Sequence, residues 1–199
     1  MNLRFKTVVS LLLLCFGLNT FGQESMRRWR KMNQVRNDKF DLVLPEVMRE
    51  NNIDMWIITN REGNFDPLYS DMGEGYVSST GYYIFTDNGG DRIERAVLGI
   101  GGYLLEKSNA FDYFGSSAEL LEFVQTRNPK SIGLNMSKNF GGADGLTHTA
   151  YIELVELLGP ELKKRFVSAE KLVSDFRSRR VASEIAIYGE AGDISYTLA

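Results

Sequence analysis

Short apolar runs bounded by polar turns alternate along the chain with longer stretches whose apolar residues recur at helical spacing. The run at residues 54–59 is apolar on both faces, as in a central strand. The runs at 82–86 and 94–100 are joined by the polar turn 87–91, which predicts a hairpin. The predicted strands are residues 54–59, 82–86, 94–100, 110–114, 132–134 and 166–167.

Helices are predicted wherever the apolar positions follow a period of three to four residues. Pro45 falls inside one of these stretches and predicts a kink or a break. Gly159 and Pro160 predict a helix end, and Ser116 or Ser117 is expected to cap a helix start. The predicted helices are residues 27–39, 38–50, 118–127, 147–158, 161–165, 169–176 and 184–198.

The rest of the chain is organised around residues 131–151. These residues run from a short apolar strand through the glycine-rich connection 141–145 into a helix that Thr147 is expected to cap. Strand, permissive loop and helix in this order are typical of an α/β domain. Residues 60–80 are polar and rich in glycine, and they predict a long irregular loop, which is usually either functional or poorly ordered.

The N-terminus has the pattern of a secretory signal peptide. Arg4 and Lys6 precede the apolar residues 7–18, and small residues suit cleavage after Gly22. The apolar stretch is shorter than the ~20 residues that a membrane span needs. Residues 1–22 are therefore predicted to be removed, which leaves an exported protein, periplasmic or extracellular, without membrane attachment.

Two alternatives to a cleaved signal peptide stay open, an uncleaved N-terminal anchor and a lipid anchor on Cys15, although Leu14 is bulky for the latter. Cleavage would shift the net charge from -3 to about -5 by removing two cations. It would also remove the chain's single cysteine, and with it any disulfide or cysteine metal site. The net charge and the lack of a basic stripe give no reason to expect nucleic acid.

Few residues could carry chemistry. His148 is the single histidine, which excludes a zinc site with two histidines, and we interpret it as a surface or capping residue. By residue count, a Ser-His-Asp triad with His148 is possible, but no Gly-x-Ser-x-Gly turn presents a nucleophile. The loop 141–145 lacks the lysine and the spacing of phosphate and dinucleotide motifs. Its two interpretations are a loop that needs positive backbone angles, which glycine allows, and a nest for a small anion.

The acidic, basic and aromatic residues are interpreted as structural or solvent-facing. Two groups of acids lack the spacing of a calcium loop and are predicted to be turn and solvent residues: Asp66, Asp71 and Glu74, and then Asp87 and Asp91. The basic stretch 27–39 is predicted to form a solvated helical face, with an anionic partner as the alternative. The aromatics predicted to be core are Trp56, Tyr82, Tyr83 and Phe85. No catalytic, cofactor-binding or metal-ligating residue is predicted.

The order of elements and several segments resemble a known family. The run FRSRRVASEIAIYGEAG, which ends at Gly192, has a basic residue, Glu-Ile and an Ala-Gly pair at Arg180, Glu184 and Ala191. Together with the strand SIGLN and the segments NREGNFDPLYSDMGEGY and SAEKLVSDFRSRR, it resembles the N-terminal domain of the creatinase, prolidase and Xaa-Pro aminopeptidase family. The more particular wording of the last two segments resembles secreted bacterial Xaa-Pro aminopeptidase-like proteins, and the resemblance covers roughly residues 27–199.

This resemblance implies an α/β fold with a mixed sheet flanked by helices over residues 23–176. A linker over 177–182 would follow, and 183–199 would be the first helix of a catalytic domain that lies beyond the chain. In the family, that domain binds two divalent metals, commonly manganese, through two aspartates, one histidine and two glutamates. The metals activate a water that attacks the peptide bond before proline. None of these ligands can be placed here, so no cofactor is expected in this segment.

The function implied by the resemblance is that of a non-catalytic front domain of an exported peptidase, inactive without its second domain. The joined protein would act on proline-containing peptides as a homo-oligomer, with the loop 60–80 as a candidate cover for a neighbouring active site. A stand-alone exported binding or interaction domain is the first alternative. A small enzyme that uses His148 and nearby acids is the second.

Overall fold

The computed structural model describes residues 3–198, with side chains for residues 23–197. The chain divides into two compact units, Met1–Gln34 and Val35–Ala199. The helices are α1 Leu3–Leu42, α2 Leu44–Glu50, α3 Tyr69–Met72, α4 Tyr103–Glu106, α5 Leu120–Arg127, α6 His148–Lys163, α7 Glu170–Ser178 and α8 Ala182–Leu198. The strands are β1 Met55–Arg61, β2 Tyr76–Thr86, β3 Glu94–Gly101, β4 Tyr113–Gly115, β5 Ile132–Leu134 and β6 Phe166–Ser168.

The predicted signal peptide, residues 1–22, lies outside the part of the chain whose side chains are described, so its cleavage stays a prediction. Among the described residues, no helix is both long enough and apolar enough to cross a bilayer.

The strands of the described chain form one six-stranded mixed sheet in the order β4-β3-β2-β1-β5-β6. The predicted central strand is confirmed, because β1 lies in the middle, antiparallel to β2 and parallel to β5. The predicted hairpin is confirmed as β2 and β3. β4 and β6 are parallel edge strands. The chain therefore folds as α/β, with a mixed sheet flanked by helices.

A separate apolar core covers each face of the sheet, because successive side chains of a strand point to opposite faces. On one face, Trp56 and Ile58 pack with residues of α1, α2 and α7, which we call the α7-side core. On the other face, Met55 and Ile57 pack with residues of α5 and α6, which we call the α6-side core. The four aromatics predicted to be core are confirmed as buried.

Proline and glycine interrupt the helices near the predicted places, with one boundary corrected. The break predicted near Pro45 is confirmed, because α1 ends at Leu42 and α2 begins at Leu44. The predicted boundary between the helices 27–39 and 38–50 is wrong, because α1 continues through it. Pro45 lies in the first turn of α2, where its missing N–H would have had no partner in any case. In α6 the backbone leaves helical geometry at Gly159, with φ of 80°, and one more turn follows the kink.

The predicted irregular loop 60–80 is shorter than expected. β1 extends to Arg61 and β2 begins at Tyr76, so the connection is residues 62–75, and α3 lies within it. The start of β2 is polar, but it pairs with β3 through Val77 and Ile100 before the register shifts. Cross-strand hydrogen bonds thus override a sequence that lacks an apolar pattern.

The prediction of a solvated basic face over residues 27–39 is wrong at its C-terminal end. Arg27, Arg28 and Arg30 are exposed, whereas Lys39 is buried. Arg36 donates from Nε to the carbonyl oxygen of Asp71 at 2.9 Å, at the end of α3. The reason is that the last turns of α1 pack on the sheet, so cations on that part of the helix face protein instead of water.

Candidate functional site

Polar side chains gather where the parallel strands β1 and β5 end side by side. Asn60 lies near the end of β1, Asn135 directly follows β5, and Asp66 lies in the connection 62–75. In open α/β sheets, ligands usually bind at the carboxyl ends of two neighbouring strands whose following segments cross to opposite sides of the sheet. This corner of the sheet is therefore the candidate site.

Four side chains form a continuous hydrogen-bonded set, which we call the Asp66 network: Trp56, Asn60, Asp66 and Asn135. The indole Nε1 of Trp56 donates to Asn135 Oδ1 at 2.8 Å, and Asn135 Nδ2 donates to Asp66 Oδ2 at 2.9 Å. The backbone N–H of Asp66 donates to Asn60 Oδ1 at 3.0 Å. The network thus links the two ends of β1, the residue after β5 and the loop after β1.

The prediction that Asp66 is a solvent residue is wrong. Its exposed fraction is 3%, and those of Asn60 and Asn135 are 0% and 1%. Burial raises the pKa of the Asp66 carboxyl, while hydrogen bonds from the Leu68 N–H and the Asn135 amide act in the opposite direction. A polar loop residue is buried here because both of its carboxylate oxygens have donors, the Leu68 N–H for Oδ1 and the Asn135 amide for Oδ2.

The glycine-rich connection 141–145 closes the network from the other side. Leu146 N–H donates to the carbonyl oxygen of Asn135 at 3.0 Å, which holds the loop against the end of β5. A Cβ on Gly145 would overlap the Asp66 carboxylate and lie 2.7 Å from Pro67 Cδ. Glycine is therefore needed at position 145 for close approach. The predicted need for positive backbone angles is wrong, because none of the glycines in 141–145 has a positive φ.

Among the other acids predicted to face solvent, Asp71 forms an ion pair that holds a loop in place, whereas Glu74 and Asp91 lie on the surface. Asp71 accepts from Arg177 Nε at 2.8 Å, and Arg177 Nη2 donates to the carbonyl oxygen of Pro67 at 2.9 Å. These contacts fasten the connection 62–75 to α7. Glu74 and Asp91 are exposed, as predicted.

His148 begins α6 and is exposed, which confirms the prediction of a surface position. The cap itself is Thr147, whose side-chain oxygen accepts from the Ala150 N–H at 3.2 Å. Within the described part of the chain, no hydrogen bond joins His148 to a serine or a carboxylate, so no triad is assembled there. Among the same residues, no group of three or more His, Cys, Asp or Glu side chains is placed to hold a metal ion.

The enclosure of the Asp66 network decides what it can do. A catalytic carboxylate has to come within about 3 Å of a substrate atom. The carboxylate of Asp66 is surrounded by protein and already accepts two hydrogen bonds. The network fastens the loops that follow β1 and β5 to each other, and its role is therefore structural.

A second feature, at the C-terminal end of the described chain, is exposed instead of closed. Residues 179–181 separate α7 from α8, and Val181 is buried at the start of α8. Glu184 lies 3.5 Å from Lys39 Nζ, with side chains only 14% and 10% exposed, so the first turn of α8 is fixed to α1. We define the α8 surface as its exposed large apolar side chains, Ile185, Tyr188, Ile194 and Tyr196, with exposed fractions of 59%, 57%, 62% and 88%.

Sequence reasoning missed the Asp66 network because Asn135, which joins Trp56 to Asp66, lies 69 residues beyond Asp66. A usable signal was present, since Asn60 and Asn135 each come at the end of an apolar strand sequence. Polar amides in that position predict a hydrogen-bonded corner when the strands are parallel neighbours.

Comparison of the chain with family models, with curated proteins and with solved structures found no match in any of the three.

Proposed function

We propose that this chain is a non-catalytic, exported domain that adjoins the catalytic domain of an Xaa-Pro aminopeptidase-like metallopeptidase, and that α8 joins the two. The α8 surface is the observation that carries the proposal. Scattered single apolar residues on a surface need no explanation, but a group of large ones indicates an interaction site.

The distribution of apolar residues around α8 indicates what kind of partner it fits. At about 100° per residue, Ile185 and Tyr196 project from one side of the helix and Ile194 from the opposite side. Tyr188 lies between these directions. A helix that is apolar all round is typically enclosed by protein, whereas a one-sided stripe suffices for packing on a flat face. A domain that encloses α8 on several sides is therefore a better partner than a protein that contacts only one side of the helix.

The stability of α8 leads to the same partner. Isolated helices shorter than ~12–15 residues are marginal in water. Residues 189–197 are exposed, so this stretch lacks the packing that usually stabilises a helix. Contact with a second domain would supply that packing.

The fold supports the proposal at a coarse level. A mixed sheet flanked by helices is the architecture expected for the N-terminal domain of this family, but many unrelated functions share such architectures. In the proposed assembly, the neighbouring domain binds two divalent ions of the manganese type and cleaves proline-containing peptides. The chain described here contributes to a homo-oligomer and to the covering of the active site.

The decisive experiment is to sequence the gene downstream of codon 199. We expect a reading frame, continuous or displaced by a frameshift, that encodes two aspartates, one histidine and two glutamates as a metal-ligand set. A downstream region without that set would refute the peptidase assignment and leave a stand-alone interaction domain.

A second experiment tests the non-catalytic role directly. The purified chain with Mn²⁺ is incubated with an Xaa-Pro peptide, beside a metallopeptidase of known Xaa-Pro activity as positive control. We expect no release of the N-terminal residue by the chain. Robust cleavage that His148→Ala abolishes would instead establish a small enzyme.

A further inference from the structure

A groove with a volume of about 320 Å³ lies between the edge strand β4 and the helix α5. It shares no residue with the Asp66 network or the α8 surface. Its lining combines acidic, aromatic and basic side chains: Tyr113, Glu119, Glu122, Phe123, Thr126 and Arg127. This volume is within the range of pockets that bind small groups.

The positive charge in the groove is already neutralised. Arg127 donates from Nε to Glu94 Oε2 at 2.8 Å and from Nη2 to Glu94 Oε1. Its guanidinium carbon lies 3.3 Å from the centre of the Phe123 ring. Arg127 is therefore held by a carboxylate outside the lining and contributes little net charge to the groove.

The negative charges in the groove lack such compensation. Glu119 accepts from the Tyr113 hydroxyl and from the Ser116 N–H, both of which are neutral donors, and they hold its pKa below the usual range. Glu122 is exposed on the first turn of α5. Within residues 23–197, neither Glu119 nor Glu122 takes part in a salt bridge. The groove therefore presents two carboxylates to a ligand.

The strand beside the groove offers backbone groups as well. β4 pairs with β3 along one edge and stands last in the sheet order. Across the described residues, no strand pairs with its outer edge. Such an edge can accept an extended peptide as an additional strand, with backbone hydrogen bonds for affinity and alternate side chains for specificity.

We propose that the groove and the edge of β4 together bind an extended peptide segment that carries a lysine or arginine side chain. The peptide adds as a strand to β4, and its cation lies against Glu119 and Glu122. The alkyl stem of that side chain packs on Tyr113 and the rim of Phe123. A second copy of this chain is a poor occupant, because edge-to-edge pairing of two β4 strands would bring like charges together. This site is independent of the role proposed for α8.

The probe is a fluorescein-labelled, capped pentapeptide with a central arginine between valine and threonine residues, titrated against the full chain by fluorescence anisotropy. We expect saturable binding with a Kd below about 1 mM. Replacing the arginine by the uncharged isostere citrulline should weaken binding about fivefold or more. N-methylation of the peptide backbone next to the arginine should abolish binding, because it removes the strand hydrogen bonds.

Variants of the protein locate the site. Glu122→Gln should weaken binding of the arginine peptide by about threefold to tenfold. Glu106→Gln removes the same charge at an exposed position of α4 and should leave binding unchanged. Equal thermal midpoints by circular dichroism show that both variants are folded. The proposal is overturned by no binding at about 1 mM peptide, by equal binding of the citrulline or N-methylated peptide, or by equal affinities of the two variants.

Discussion

Single residues at the ends of β1 and β5 show how much a fold depends on close contacts that composition does not reveal. Gly145 and Gly141 belong to the same glycine-rich connection and look equivalent in the sequence. A Cβ at position 145 would overlap Asp66, whereas one at position 141 would meet nothing within 4 Å. The two glycines therefore form a matched pair for experiment.

Gly145→Ala is expected to lower the free energy of unfolding by about 1–3 kcal/mol, because the added methyl forces the Asp66 network or the loop to move. Gly141→Ala should change it by less than about 0.5 kcal/mol. Urea unfolding monitored by fluorescence of the buried Trp56 measures both. Equal stabilities of the two variants would show that the loop is not locked to Asp66.

The Asp66 carboxyl predicts a pH dependence of stability. Burial raises its pKa above the ordinary value of 3.8, so the folded protein takes up this proton at a higher pH than the unfolded chain does. The contribution of Asp66 is therefore largest below pH 3.8 and is lost as the pH rises through the folded pKa. Asp66→Asn cannot titrate, and it also turns an NH₂ group toward a donor, which costs about 1–3 kcal/mol.

The measurement is the free energy of unfolding of both proteins from pH 3 to pH 7, the range above and below the ordinary aspartate pKa. The stability of the wild type relative to Asp66→Asn should fall with increasing pH. A difference that increases with pH would mean that the hydrogen bonds from Leu68 and Asn135 outweigh burial, and that the folded pKa is lowered.

At the scale of elements, the sequence predicted what depends on local pattern. The apolar runs located β1, β3 and β5, and Pro45 and Gly159 located the helix breaks. The polar start of β2 was missed because its pairing with β3 is a non-local contact. The burial of Asp66 was missed for the same reason, since its partner Asn135 lies 69 residues away along the chain.

The first turn of α8 is expected to depend on Glu184, which pairs with the buried Lys39 and with the half-exposed Arg180. Glu184→Gln removes both pairs and leaves the Lys39 ammonium buried without its carboxylate, which should cost about 2 kcal/mol, between the values for exposed and buried pairs. Glu161→Gln breaks the pair with Lys164, whose side chains are 79% and 69% exposed, and should cost less than about 0.5 kcal/mol.

Hydrogen exchange of the α8 amides reports the structural consequence of Glu184→Gln. We expect faster exchange over residues 182–188 in Glu184→Gln and unchanged exchange in α7. If exchange in α8 is the same in both variants and in the wild type, the helix start is held by the burial of Val181 instead of by the ion pairs of Glu184.

For the molecule as a whole, the two cores share one sheet, and this predicts cooperative unfolding of the unit Val35–Ala199. The alternating side chains of β1 enter both cores, so loss of the sheet removes packing on both faces at once.

In a urea titration followed by methyl NMR, Ile58 in the α7-side core and Leu154 in the α6-side core should lose their native signals at the same midpoint. Leu172→Ala, in the α7-side core, should lower the free energy of unfolding by about 2–5 kcal/mol and should shift both signals equally. Separate midpoints, or a shift confined to Ile58, would show that the two faces unfold independently and that β1 does not couple them.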